Sequence, residues 1–347
     1  MQAGKATAEI EYAFEDKPDS GGTQPVSEGA HWLRMPLPFA LNHINLWLLR
    51  DGGGWTLLDT GLGDDRTRGH WVALFGTTLG GDPIVRVVVT HLHPDHVGCA
   101  GFLCTHFDAP LSMTREEYLL CRVLVADTGR AAPEAGVAFY RAAGYPEHAL
   151  ARYRKMFGYF GRYVTPLPES YRRLVDGQRI AIDGSAWEVI VGRGHSPEHA
   201  CLFGAERNLL VAGDQLLPTI SANVSVYPTE PMANPLADWL DSLAAIRGRV
   251  PADVLVLPAH GRPYRGAHGR IDELIRQHTD RLGALFEFCA EPRRAVDVFP
   301  ALYRREITDD NLMFATGEAI AHLNYLLDDG RMAAETGPDG VTWYRRR

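Results

Sequence analysis

Residues 84–90 read Ile-Val-Arg-Val-Val-Val-Thr, a β-branched and nearly continuous run of the kind a buried strand has, and they lead directly into His91-Leu92-His93-Pro94-Asp95-His96. Three imidazoles and a carboxylate thus sit within six residues, directly after a buried strand. Alternation at the strand end predicts that His91 and His93 point the same way, and the turn at Pro94 carries Asp95 and His96 round to face the same spot. Neutral imidazoles and carboxylates are ligands for zinc, iron or manganese. The run holds too many ligands for one open catalytic site and too few for two. More ligands are therefore required downstream, on the ends of other strands.

Three candidates meet that requirement. Gly192-Arg193-Gly194-His195 follows the apolar segment ending at Val191, Val211-Ala212-Gly213-Asp214 ends another, and Val256-Leu257-Pro258-Ala259-His260-Gly261 ends a fourth. In each case a ligand type closes an apolar run beside a glycine. A single strand-end histidine is more often an ordinary loop residue; their coincidence with the first run reverses that balance. His199, four residues after His195, is open between a plain structural role, which is slightly preferred, and a place behind the ligands or against a substrate.

The remaining texture is that of strand pairs with interspersed helices. Ile44–Leu49 and Trp55–Leu58 flank the turn Asp51-Gly52-Gly53-Gly54, and residues 178–182 and 187–191 flank Asp183-Gly184. Cys201–Phe203, Leu209–Ala212 and Val254–Leu257 are further strands, with a helix over Trp239–Ile246. Residues 1–29 are polar and turn-rich, a loose arm or an edge segment. Residues 115–172 have helical texture over Arg115–Ala126 and Glu147–Tyr163, with a Pro/Gly-rich break between. No Gly-rich phosphate loop is present, which favours an α/β sandwich over a doubly wound sheet. Beyond Gly261, helices over Ile271–Cys289 and about Asn311–Leu327 belong to a small appended domain of three helices and a terminal hairpin.

Composition narrows the function. The chain of 347 residues is 46% hydrophobic and 22% charged with a net charge of −8, the balance of a globular protein and not of a general polyanion binder. The five cysteines are odd in number and contain no C-x-x-C, which suggests reduced thiols. No run of eighteen apolar residues is present, and the segment after Met1 carries acids where a signal peptide has its apolar region; a cytoplasmic location is expected.

On the His-x-His-x-Asp-His run and the order of the later His, Asp and His, residues 30–265 resemble the metallo-β-lactamase-fold hydrolases. The resemblance implies a four-layer αβ/βα sandwich with two divalent metal ions at one edge, most often zinc, with iron or manganese as alternatives. By carry-over His91, His93 and His195 hold the first metal, Asp95, His96 and His260 the second, and Asp214 bridges them. Asp59 in Leu58-Asp59-Thr60-Gly61 matches a further family position behind the ligands, and a buried structural aspartate explains it equally well. The implied chemistry is hydrolytic: two cations share a water, lower its pKa and aim it at a carbonyl or phosphorus, with Asp95 the candidate to orient it and move its proton. Redox relatives with a di-iron centre carry Glu at the position of His93, which favours hydrolysis here. Glu198 stands where many relatives have Gly, so the loop beside His195 is expected to differ in shape.

The substrate is less sharply marked. Lactonases of this fold place a Tyr three residues after the bridging Asp, where this chain has Leu217, and the span from Asp214 to His260 is too short for the large nuclease insertion. Residues 266–347 resemble the winged-helix-like domain of the branch that includes β-lactamase-like protein 2. From residue 261 onward there are thirteen Arg and no Lys against fourteen acids, so nucleic acid is not the expected partner and a structural or pocket-closing role is. The aromatics of 115–172 either pack that insertion onto the body, form a dimer contact, or supply an apolar wall to the metal cleft. The expected substrate is a small, partly apolar ester, thioester or lactone. The alternative is RNA phosphodiester hydrolysis, with the appended domain as the binding module.

Overall fold

The computed structural model describes residues 10–38, 41–77 and 79–347. The strands are β1 (Glu11–Tyr12), β2 (Thr23–Ser27), β3 (Ala30–Pro36), β4 (His43–Asp51), β5 (Gly54–Leu58), β6 (Ile84–Val88), β7 (Leu111–Met113), β8 (Arg172–Arg173), β9 (Arg179–Ile182), β10 (Ser185–Gly192), β11 (His199–Gly204), β12 (Leu209–Gly213), β13 (Leu255–Pro258), β14 (Tyr264–Arg265), β15 (Met332–Thr336) and β16 (Thr342–Arg346). Strands β2 to β8 form one seven-stranded sheet in sequence order, and a second seven-stranded sheet runs β1-β14-β13-β12-β11-β10-β9. Residues 1–9 of the expected arm lie outside the described residues; the rest of it supplies edge strands to both sheets.

Local sequence explains the hairpins. Gly52 takes φ 59° in the turn where Asp51 pairs with Gly54, a conformation that costs a glycine nothing. The sheets face each other through Trp32, Trp47, Leu58, Val88, Trp187 and Leu257, all at most 1% exposed. Asn45 ties them at one edge. Its Nδ2 donates to the carbonyls of Pro258 and Gly261, each at 2.9 Å, while its Oδ1 accepts from Trp32 Nε1 at 2.8 Å.

Helices cover the outer faces. They are α1 (Asp65–Phe75), the single turn α2 (Pro94–Val97), α3 (Ala100–Phe107), α4 (Arg115–Ala126), α5 (Glu134–Ala142), α6 (Glu147–Met156), α7 (Pro235–Arg249), α8 (Ala267–Phe288), α9 (Phe299–Leu302) and α10 (Leu312–Asp328). Asp64 caps α1 by accepting the Thr67 N–H at 2.8 Å, and Trp71 of that helix is fully buried. The apolar faces of α1 and α3 close the first sheet and that of α7 the second, giving the four layers expected.

Two expectations for 115–172 need correction. The break between its helices contains α5, whose buried Val137 and Tyr140 form its inner face. The second helix ends at Met156 because Phe157 turns to ψ 139° and Gly158 to φ 74°, and a 3₁₀ turn over Phe160–Tyr163 follows. The insertion meets the C-terminal helices directly: Tyr145 Oη lies 3.0 Å from Thr316 Oγ1, and the Val296 N–H donates to Ala143 O at 3.1 Å. Among the described residues no helix is long and apolar enough to cross a membrane.

Candidate metal centre

Strand β6 ends at Val88, two residues earlier than its sequence suggests, because Asp59 Oδ1 accepts the Thr90 N–H at 2.8 Å and diverts the chain. His91 and His93 therefore sit in a loop, and strand alternation is not what brings them together. The loop does so: His91 Nε2 lies 2.8 Å from His93 Nδ1. Pro94 opens the one-turn helix α2 at its first position, which returns Asp95 and His96 to the same spot. His195, Asp214 and His260 arrive from the ends of β10, β12 and β13, all at the same edge of the sandwich.

The seven side chains form two groups. His91, His93, His195 and Asp214 offer ligand atoms within 4.8 Å of one another, and Asp95, His96 and His260 do the same. Asp214 faces both groups, with Oδ2 3.3 Å from His195 Nε2 and Oδ1 3.5 Å from His96 Nε2 and from His260 Nε2. Asp95 Oδ2 is 3.4 Å from His260 Nε2.

Hydrogen bonds outside the cluster set the imidazole tautomers. His195 Nδ1 donates to Asn223 O and His260 Nδ1 to His43 O, each at 2.8 Å. Thr90 Oγ1 gives its proton to Asp59 Oδ2 at 2.9 Å and so accepts from His91 Nδ1 at 3.0 Å. The Nε2 atoms of His91 and His195 then face each other as lone pairs 3.3 Å apart, and His93 Nδ1, 2.8 Å from His91 Nε2, is the one ring nitrogen of that group left with a proton to offer. His96 Nε2 and Asp214 Oδ1 are buried without a hydrogen-bond partner. Opposed lone pairs and orphaned buried polar atoms are costly unless a cation lies among them, so this donor set fits divalent metal.

The electrostatics agree. Burial, then the neighbouring histidines, holds His91 well below the ordinary imidazole value, and burial with His195 takes His93 down to about 3, so both rings are neutral ligands. For Asp95, burial is outweighed by His96 and His260, and its carboxyl falls to about 2. His96 moves the other way: burial lowers it, but Asp59, Asp214 and Asp95 together raise it well above its usual value. The carboxylates make a field that favours positive charge.

Further residues hold the ligands. Asp59, at φ 60°, accepts from His96 Nδ1 at 2.8 Å, so it is both buried and placed behind a ligand. His199 Nε2 accepts the Asp214 N–H at 3.1 Å, which gives that ring the structural role, exercised on a ligand's backbone. The sequence reading missed Glu117. This fully buried carboxylate of α4 accepts the Leu92 N–H on Oε2 at 2.9 Å and the Glu198 N–H on Oε1 at 2.8 Å, tying the loops of His91 and His195 together. Asn223 and His43 were missed as well, since both act through backbone carbonyls that no residue type announces.

The cluster lies in a cleft of about 2600 Å³. Leu120, Tyr140, Met156 and Phe160 of the insertion line one side and Met313 and Phe314 of α10 another, so the insertion aromatics pack and line the cleft at once. Leu217, at the lactonase tyrosine position, also lines it.

Residues 41–288 match the model of the Metallo-beta-lactamase superfamily, and residues 282–347 match that of the Metallo-beta-lactamase-like C-terminal domain. The chain belongs to the metallo-beta-lactamase superfamily, and with its His and Asp cluster it is a metal-dependent hydrolase. A crystal structure of a Beta-lactamase domain protein from Burkholderia ambifaria is 41% identical, with a TM-score of 0.89 over 97% of this chain and 98% of that one. The Probable metallo-hydrolase YqjP of Bacillus subtilis (strain 168) is 26% identical over 85% of this chain and 91% of its own length. The Atrochrysone carboxyl ACP thioesterase of Aspergillus fumigatus is 24% identical over 70% of this chain and 43% of its own length.

Proposed function

We propose that the protein hydrolyses the carbonyl of a small, partly apolar ester, thioester or lactone, with thioesters preferred. The observation that carries this reading is the cleft, which joins the ligand cluster to apolar walls from both the insertion and the C-terminal helices. Six large apolar side chains that the fold leaves exposed, Leu41, Met156, Ile220, Tyr227, Met313 and Phe314, line this one cleft. The relative named as an acyl-carrier thioesterase supports the same class.

In this reading His91, His93 and His195 hold one divalent ion, Asp95, His96 and His260 hold a second, and Asp214 joins them, with zinc the first candidate. Such a pair supplies an acidified water and polarises the substrate carbonyl. The chain does the rest. Asp95, 20% exposed and 3.4 Å from His260 Nε2, lines the cleft, where it orients the attacking water and passes its proton on. The apolar walls hold the acyl part and exclude other water. The C-terminal helices close the cleft, in keeping with their lack of net positive charge. Five buried, unpaired cysteines support a cytoplasmic location.

Turnover of acyl thioesters and lactones, measured beside cleavage of a labelled single-stranded RNA, tests the proposal. Thioester turnover that disappears in His91→Ala is the expected result. RNA cleavage lost in that variant, without ester turnover in the wild type, overturns it.

A further inference from the structure

His195 owes its orientation to a segment that the C-terminal domain holds. The Asn223 carbonyl that accepts its Nδ1 proton belongs to the loop after Asp214. Asn223 Nδ2 donates to Glu318 Oε2 at 3.2 Å and to Phe314 O at 3.4 Å, and Val226 N donates to Gly317 O at 3.1 Å. Residues 314, 317 and 318 share one turn of α10, so a single helical face grips the loop. Ser225 Oγ completes the contact by donating to Asn223 Oδ1 at 2.5 Å.

Two features show that this contact is built closely. Glu318 is 12% exposed at its side chain, and its other oxygen accepts from Arg281 Nη1 of α8 at 3.2 Å, which fixes the carboxylate from behind. At Gly317 a Cβ would stand 2.7 Å from Ser225 Cβ and 3.0 Å from Val226 O. Helix and loop meet at this distance because residue 317 has no side chain.

We propose that Glu318 is a positioning residue for the metal centre: through Asn223 it holds the carbonyl that orients His195, and the C-terminal helices thereby set the grip of the His91, His93 and His195 group. The inference rests on the metal-holding role proposed above for that group. Glu318 also lines the cleft, so contact with substrate is the competing role, and that role leaves metal affinity unchanged.

The test is removal of metal from the holoprotein by graded chelator, with ion content read by elemental analysis. Glu318→Ala and Gly317→Ala are each expected to release the first ion at about a tenfold lower chelator concentration, the lower end of what partners of a ligating histidine contribute. Glu318→Gln, which keeps one acceptor for Asn223, is expected to restore most of the affinity. Thr316→Val removes the hydroxyl beside Tyr145 on the same helix without touching the 223–226 loop, and it is expected to follow the wild type. Wild-type curves for both Glu318→Ala and Gly317→Ala overturn the inference, as does an equal loss in Thr316→Val. His91→Ala separates the two levels: if it too keeps its ions, the metal-holding role itself has failed.

Discussion

Asp59 stands in the left-handed region at φ 60° with its Oδ2 2.8 Å from Nδ1 of His96, while its Oδ1 accepts the Thr90 N–H at 2.8 Å. One carboxylate thus ends strand β6 and orients a ligand beyond it. Asn tolerates that backbone conformation, so Asp59→Asn removes the charge and one acceptor without adding backbone strain. The amide turns its N–H₂ either toward the Thr90 N–H or toward the Thr90 hydroxyl and His96 Nδ1 together. Metal affinity is expected to fall about 10- to 100-fold, and the metal-free variant to lose about 1–3 kcal/mol for the mismatched donors, as read by chelator competition and urea unfolding. An unchanged chelator curve would reduce Asp59 to a purely structural residue.

Glu117 offers two acceptor oxygens to two backbone donors, Leu92 N–H and Glu198 N–H. Gln has one such oxygen, so Glu117→Gln sets an amide N–H₂ against a backbone N–H in the interior. The expected cost is about 1–3 kcal/mol in urea unfolding of the metal-free protein. If the metal-free variant matches the wild type in that measurement, the carboxylate is not the clamp described.

Asp214 places one oxygen against each ligand group. Asp214→Ala should lower metal content and hydrolytic activity together. Full metal content in the purified variant would remove the bridging role.

Burial raises the thiols of Cys99, Cys104 and Cys121 to about 12 and that of Cys289 to about 11, and drives Cys201 up as well. A thiol whose pKa is raised has almost no thiolate at pH 8 and does not attack a disulfide reagent. The native protein should therefore react slowly at that pH and expose five thiols on denaturation. A thiol that reacts within seconds in the native protein would contradict this.

The sequence by itself determined which seven His and Asp side chains gather at one edge and the sandwich that carries them. Both are local signals: apolar strands announce themselves by β-branched runs, and each ligand lies within a few residues of a strand end beside a glycine or proline. Helix α4 was legible to its end residues for the same reason, whereas α5 was hidden by the prolines and glycines around it. Tertiary structure alone decided how the ligands are aimed. Asp59 and His96 are 37 positions apart, Glu117 and Glu198 81, and Asn223 and Glu318 95. A carbonyl, or a carboxylate on an ordinary helix, becomes part of a metal centre only when packing brings it within hydrogen-bond distance of a ligand, and distance across a folded core leaves no pattern along the chain.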